Sequence, residues 1–557
     1  MAFVALELLV LSFAYFGPQV SIGGIRYGRD HSSRSRAIAG PLVADPSPTD
    51  SVKPSLTSSP SPAPPPAPTE PSATTPLPSL TPTVPPSSTP ATVLVRRSRS
   101  AGWVSAENAR TGTDRWKIGG NAPLGWIEGY ARSTSTGPGD SVTVFVDTPA
   151  PSYTLEAYRM GFYGGKQGRL LWTSPSMVAT RQPPPTVDAA TGLAEARWTP
   201  SLTLPVGDDW PPGSYLLKLV SSAGGASYVP LTVRDDGARA DVLVMNAVTT
   251  WQSYNQWGAC SLYACGGLRG RARAVKVSFD RPYARQYNDG SADFLDHELP
   301  LVALVEELGL DAAYATNLDV HETPGLLRRY KAAFSLGHDE YYSRSMRKSL
   351  LDARDNGVNL AFFGANAVYR HIRLEAASDG RPDRVMVNYR SSTDPAAVQD
   401  PTDGTSEWRV QKAPEAALVG IQYLCADVNA DLIVAASNHW VWGGAGVRDG
   451  QPLRHLIGNE ADGVNRGVSP PNIDLLGSSP VRCNGGTAYA HTSYYAAASG
   501  AGVFASGTIW WICALEAQYC SEPGNIKAVR SATTNVIRAF ALGPAGAVHP
   551  SGPASRA

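Results

Sequence analysis

FSLGHDEYYSRSMRKSLLDARDNGVNLAFFGANAVY, residues 334–369, reads as strand, loop, helix, strand and loop. The apolar run at 331–336 ends at Gly337. Behind it stand His338, Asp339, Glu340, Tyr341 and Tyr342, a dense set of ionisable and oxygen-bearing side chains. Ser343 suits the N-cap of a helix whose apolar stripe is Met346, Leu350 and Leu351. Asn356-Gly357 suits its end. Residues 358–363 form a second buried strand, with Gly364-Ala365-Asn366 just past it. In an open parallel sheet, ligands bind outside the carboxyl ends of the strands. The two polar clusters are therefore predicted to lie side by side.

Working outward, residues 240–245 (ADVLVM) are a continuous apolar run, as expected of a strand buried on both faces. A helix at 298–308, a strand at 312–315 and the segment 326–330 lead into the opening stretch. This strand–helix alternation predicts a doubly wound α/β domain. Between 102 and 234 the chain instead shows short alternating runs. PGDSVTVFVDTP (138–149) puts Val142, Val144 and Val146 on one face, and further strands are expected at 153–158, 195–198, 214–220 and 227–233. That pattern predicts a β-sandwich of immunoglobulin-like size, with the Gly-rich YRMGFYGGKQGRLLW (158–172) as a packed corner. Beyond 406 the pattern is weaker: strands at 432–436 and 502–505, an element starting at 507–515, and a helix at 533–542.

At 557 residues the chain exceeds one typical domain. The expected organisation is an apolar signal or anchor segment at 1–24, a disordered Pro/Ser/Thr-rich linker at 25–100, the sandwich at 101–236, the α/β domain at 237–545 and a disordered tail at 546–557. The linker includes 46–92, almost only Pro, Ser, Thr and Ala, which reads either as an extended polyproline-II stalk or as a plain disordered segment. Lys plus Arg and Asp plus Glu balance at 48 each, so no net field draws nucleic acid or anionic lipid. Thirteen Trp and 23 Tyr suit a β-rich protein with an aromatic-lined cleft. Cys260 and Cys265 are close in sequence, as are Cys513 and Cys520, leaving Cys425 and Cys483. These six are either three disulfides of an exported protein or six reduced, buried thiols; no spacing suggests zinc. Residues 2–15 have the length of a signal-peptide core or short anchor. They lack a basic flank, and Arg26, Arg29, Arg34 and Arg36 follow them, which argues against a simple anchor with its N-terminus inside. The expected location is extracellular or at the cell surface.

Four segments carry chemistry: TTWQSYNQWGACSLY (249–263), SFDRPY (278–283, with Asp280 and Arg281), GHDEYYS (337–343) and GAN (364–366). Carboxylate, phenol, imidazole and amide groups in one cleft suit a hard-metal site or general acid–base chemistry. Each residue also has a plainer reading: Tyr254 as a core tyrosine, Glu340 as a carboxylate favoured by a helix start, His338 as the cap of a strand and Asn366 as a turn residue.

These segments, with YRMGFYGG (158–165), GANAVYRHIRLE (364–375) and SGAGVFASGTIWW (499–511), resemble the large (beta) subunit-like family of N,N-dimethylformamidase over about residues 100–545. The resemblance implies a class I glutamine-amidotransferase-like α/β domain after the sandwich. It implies hydrolysis of a C–N amide bond at one ferric ion held by two tyrosinates and a glutamate. Carried over by motif, Glu340 is the carboxylate ligand and Tyr254 one tyrosinate. Tyr215, in PPGSYLLKL, is the second, with Tyr341 as a competitor; an inward strand tyrosine such as Tyr215 also reads as core. His338 and Asn366 match the histidine and asparagine of the cleft, and Glu460, in GNEAD, a further glutamate. Fe(III) is a hard cation, and two phenolates with one carboxylate neutralise it. Where the family has a lysine this chain has Arg390, which cannot carry protons as a lysine can; that departure bears on activity or substrate. The competing reading is a non-catalytic exported or cell-surface binding module that keeps the fold, and a third is a hydrolase of a glycan- or peptide-derived amide. The expected partners are a small amide substrate, a cell surface and further copies of the chain; nucleic acid is not among them.

Overall fold

The opening stretch lies at the middle of a seven-stranded sheet in the computed structural model. The structure describes residues 99–552 apart from 120–126, 236, 238–239, 267–271, 391–392, 519 and 521. The expected signal or anchor, nearly all of the linker and the last five residues lie outside the described part. The strands run in the order Ala312–Thr316, Val242–Asn246, Ala332–Leu336, Asn359–Phe363, Gly502–Ala505, Gly486–Ala496, Asp474–Cys483. The first five are parallel, and Gly486–Ala496 runs antiparallel between Gly502–Ala505 and Asp474–Cys483. The central strands are apolar along their length because both faces are covered; Val242, Val244, Phe334, Leu336, Leu360 and Phe363 are all buried.

Register places the two polar clusters. Leu336 pairs with Phe363, so Gly337 and Gly364 follow from neighbouring strand ends. They touch: a Cβ on Gly364 would overlap the Gly337 carbonyl. Ser343 caps the helix Arg344–Asp355, accepting the Met346 N–H, and Met346, Leu350 and Ala353 form its buried stripe. A four-stranded sheet of Lys276–Ser278, Val385–Val387, Arg370–Glu375 and Tyr341–Ser343 flanks this unit.

The N-terminal part is two sheets over a common core. One holds Glu128–Ala131, Ser141–Asp147 and Leu202–Pro205; the other holds six strands, among them Ser152–Met160, Gly213–Ser221 and Ala226–Val233. Val142, Val144 and Val146 face Leu155, Leu217 and Leu231 in that core, as their period of two requires. The described chain as a whole is mixed α/β and strand-rich. The YRMGFYGG motif joins its parts. Arg159 is fully buried and pairs with the equally buried Glu306 on helix Leu299–Glu307, with Nη1 to Oε2 at 3.0 Å. Tyr314 donates to Glu306 at 2.6 Å and Arg159 donates to Tyr163 at 2.8 Å.

Past residue 406 the structure holds strands that sequence periodicity misses. Gln422–Ile433 pairs with Pro452–Gly463 through three register shifts, and such bulges break the period of two. Residues expected as tail include all but the first residue of the helix Ala545–Val548, and Tyr494 donates to the His549 carbonyl at 2.8 Å. All three expected disulfides form: Cys260–Cys265, Cys425–Cys483 and Cys513–Cys520. They are compatible with an extracellular protein. Among the described residues no helix is long and apolar enough to cross a membrane.

Candidate functional site

Strand Val242–Asn246 runs into helix Val248–Tyr254, and that helix is bolted to the HDE loop. Thr250 Oγ1 accepts the Glu340 N–H at 2.9 Å, and Thr249 Oγ1 donates to the Tyr341 carbonyl at 2.8 Å. The buried Glu298 accepts Ala247 N–H at 3.1 Å and Trp251 Nε1–H at 2.9 Å. Tyr254, at the helix end, is thereby carried to Glu340. Its hydroxyl donates to Glu340 Oε2 at 2.9 Å.

A second phenol completes the group. Tyr263 Oη lies 2.6 Å from Tyr254 Oη and 2.9 Å from Glu340 Oε2, and the two rings stack at 4.2 Å. Tyr263 sits inside the loop closed by Cys260–Cys265. Ser261 Oγ accepts its N–H at 3.1 Å. Arg281 anchors the base of the loop from below. Its buried guanidinium donates to the carbonyls of Gln252, Asn255, Trp257 and Cys260 at 2.9–3.2 Å. Arg281 is thus a clamp rather than a cleft residue. Asp280, beside it, is engaged by Arg381 and Arg384 at 2.6 and 3.0 Å.

The chain of donors continues outward. Tyr341 Oη donates to Tyr263 Oη at 2.8 Å, and Arg390 Nη2 donates to Tyr341 Oη at 2.7 Å. The other oxygen of Glu340 takes Arg370 Nε at 3.2 Å, whose Nη1 reaches Glu407 at 3.2 Å. His338 Nε2 stands 3.5 Å from Glu340 Oε2 and 3.3 Å from Glu460 Oε2. Those are ion-pair distances, yet neither His338 Nε2 nor Glu460 Oε2 has hydrogen-bond geometry to any partner, and both are buried. Asn366, at φ 57°, gives its N–H to Asp462 at 2.9 and 3.0 Å, and its buried Oδ1 has no partner. Asp339 faces inward instead, where Ser335 and Asn317 donate to it at 2.8 and 3.2 Å.

Tyr215 is elsewhere. Its hydroxyl donates to the Pro211 carbonyl at 2.7 Å and its ring stacks on Trp210 at 5.3 Å, within the core of the two N-terminal sheets. The expectation that Tyr215 supplies a second ligand is corrected on that ground: its Oη is already bonded inside a closed apolar core. The structure brings Tyr254, Glu340, His338 and Glu460 together, and adds Tyr263, Tyr341, Arg370 and Arg390. Sequence reasoning passed over Tyr263 although it ends the quoted motif. The usable signal was a second phenol nine residues after Tyr254, inside a short Cys–Cys loop.

Electrostatics follow from burial and neighbours. Burial would raise the Glu340 carboxyl, but His338, Arg370 and Arg390 outweigh it and hold it at about 2. Burial would lower His338, but Glu460 and Glu340 raise it well above its ordinary value. Burial, then the Glu340 charge, pushes Tyr254 and Tyr263 well above theirs. The protein's own groups thus present an anionic carboxylate capped by two neutral phenols and faced by an imidazolium. Among the described residues no group of three or more His, Cys, Asp or Glu could hold a metal; this donor set depends on phenols. Its geometry fits a hard cation. Oxygens at ~2.0 Å from an octahedral ion lie ~2.8 Å apart, against edges of 2.6, 2.9 and 2.9 Å here.

The sequence model of the family "N,N-dimethylformamidase beta subunit-like, C-terminal" matches residues 154–525, more than half of the chain. That span includes Tyr254, Tyr263, His338, Glu340, Asn366, Arg390 and Glu460. No curated protein matches the chain. Among solved structures, a Paenibacillus sp. cycloisomaltooligosaccharide glucanotransferase complexed with cycloisomaltoheptaose is similar at 11% identity and a TM-score of 0.13, over 49% of this chain and 35% of that one. The chain spans about a third of that enzyme's length, and so low a score carries no argument about fold.

Proposed function

We propose, for a chain that belongs to the N,N-dimethylformamidase beta subunit-like family, that it is a metal-dependent hydrolase of a C–N amide bond. One observation carries the reading: three oxygens, from Tyr254, Tyr263 and the buried Glu340, converge with edges of 2.6–2.9 Å beside the buried His338–Glu460 pair. We take Tyr254, Tyr263 and Glu340 as the ligands of one ferric ion, the family's metal. A ferric ion there supplies Lewis acidity to an amide carbonyl and to water. The protein's own groups do the rest. His338 holds a proton within reach of the cleft and can pass it to the departing amine. Glu460 accepts one from water and returns His338 to its charged form. We assign the Asn366 side chain, through its Nδ2–H, to the substrate oxygen. Arg370 fixes the second oxygen of Glu340 and keeps the carboxylate in register.

At the level of fold, we read the N-terminal sheets as immunoglobulin-like and the parallel sheet as class I glutamine-amidotransferase-like. The disulfides and the Pro/Ser/Thr-rich segment support export to the cell surface or beyond. The test is iron-supplemented expression of the full chain, with metal analysis, a visible spectrum and an assay on formamide and N,N-dimethylformamide. We expect one iron per chain, a tyrosinate charge-transfer colour and amine release. Colourless protein that excludes iron would falsify the reading.

A further inference from the structure

Among the described residues, charge pairing around the candidate centre leaves one cation over. Arg370 meets two carboxylates, Glu340 and Glu407, both at 3.2 Å. His338 meets Glu340 and Glu460 at 3.5 and 3.3 Å. Among the described residues Arg390 has no carboxylate within ion-pair distance. It spends one N–H on the neutral Tyr341 hydroxyl, rests its guanidinium 4.0 Å from the centre of the Tyr263 ring, and leaves Nε buried without an acceptor. Desolvating a permanent charge costs free energy unless something answers it. A guanidinium with unmet donors is a fork that matches a carboxylate in geometry as well as charge.

The position of that fork limits what can fill it. Two hydrogen bonds, of 2.7 and 2.8 Å, separate Arg390 Nη2 from Tyr263 Oη. The span is under two residues of extended chain at ~3.5 Å each. Tyr263 keeps 37% of its surface exposed, so this side of the centre is open. From these observations, and resting on the hydrolase reading above, we infer that the substrate is an anionic amide. Its carboxylate lies within a few bonds of the scissile group, as in an N-acyl amino acid, and Arg390 receives it. Arg390 is then the specificity-determining residue.

Binding of N-acetylglycine and of neutral N-methylacetamide to the iron-loaded full chain tests this by calorimetry, with cleavage of both followed separately. We expect N-acetylglycine to bind at least about tenfold more tightly, from one charge-assisted pair. Arg390→Gln should lose that preference and Arg390→Lys keep part of it, with acetate competing only where the preference exists. Equal affinities in the wild type overturn the inference, as does a preference that survives in Arg390→Gln. Carboxylate-selective binding without cleavage of either amide supports the anion site and sinks the hydrolase reading. Cleavage of neutral amides with no preference does the reverse.

Discussion

Tyr215 and Tyr263 are both tyrosines of the segment matched by the family, and their hydroxyl partners separate them. Tyr215 bonds a backbone carbonyl in a closed core, whereas Tyr263 bonds a phenol and a carboxylate. Replacing each with Phe should therefore have opposite consequences. Tyr215→Phe should cost about 1 kcal/mol of stability, one buried hydrogen bond, and leave iron content at wild type. Tyr263→Phe should fold normally and lose the coloured iron site. Paired thermal melts and metal analysis read both. Iron retained in Tyr263→Phe would return the second phenolate to another residue. At this scale much was legible beforehand: GHDEYYS contains Glu340 and His338, and WQSYN contains Tyr254. Tyr263 was not singled out because nothing in sequence says which phenol faces which way.

At the scale of elements, two features position these side chains. The first is the contact of neighbouring strand ends, where a Cβ on Gly364 would overlap the Gly337 carbonyl. Gly364→Ala should push the HDE loop away from Asn366. We expect a loss of about 2–4 kcal/mol and a larger fractional loss of iron than of folded protein, seen by comparing circular dichroism with metal stoichiometry. The second is the Cys260–Cys265 loop around Tyr263. Its short closure contributes about 2 kcal/mol at most, but it restrains a group that must meet two others. The Cys260→Ser/Cys265→Ser double variant should stay folded and bind iron about tenfold more weakly. Unchanged affinity in a competition titration would show that the loop is held by Arg281 alone. Helices and strands of the central unit follow the periodicity closely, because their apolar faces are continuous. The bulged pair Gln422–Ile433 and Pro452–Gly463, which carries Glu460, does not.

Across the whole molecule, stability should depend on acid through buried imidazoles. Burial pushes His371, 2% exposed and packed against the Trp408 ring, down to about 4. Unfolded, it would titrate near ~6.5. Between those values the unfolded chain binds more protons, so stability is complete above about 6.5 and is lost as pH falls towards 4. The amount is about 3 kcal/mol for a group buried this deeply. Asp462, raised to about 8 by burial, acts in the opposite sense as pH rises. His371→Gln should therefore raise the melting temperature at pH 5 relative to that at pH 7, leaving the Asp462 contribution in place. An unchanged difference would assign the acid sensitivity to other groups.

The sequence by itself left the cysteines as either three disulfides or free thiols, and it determined the alternation that builds the parallel sheet, the strands of the N-terminal sheets and the loop bearing His338 and Glu340. Those depend on local periodicity, capping and spacing, which neighbours along the chain decide. Only the tertiary structure decided that Tyr263 rather than Tyr215 meets Tyr254, that the cysteines pair as disulfides, that Arg281 supports the loop from beneath, and that Arg390 meets no carboxylate among the described residues. Each of those is a question of which side chains converge across tens or hundreds of residues, and convergence is set by register and packing rather than by composition.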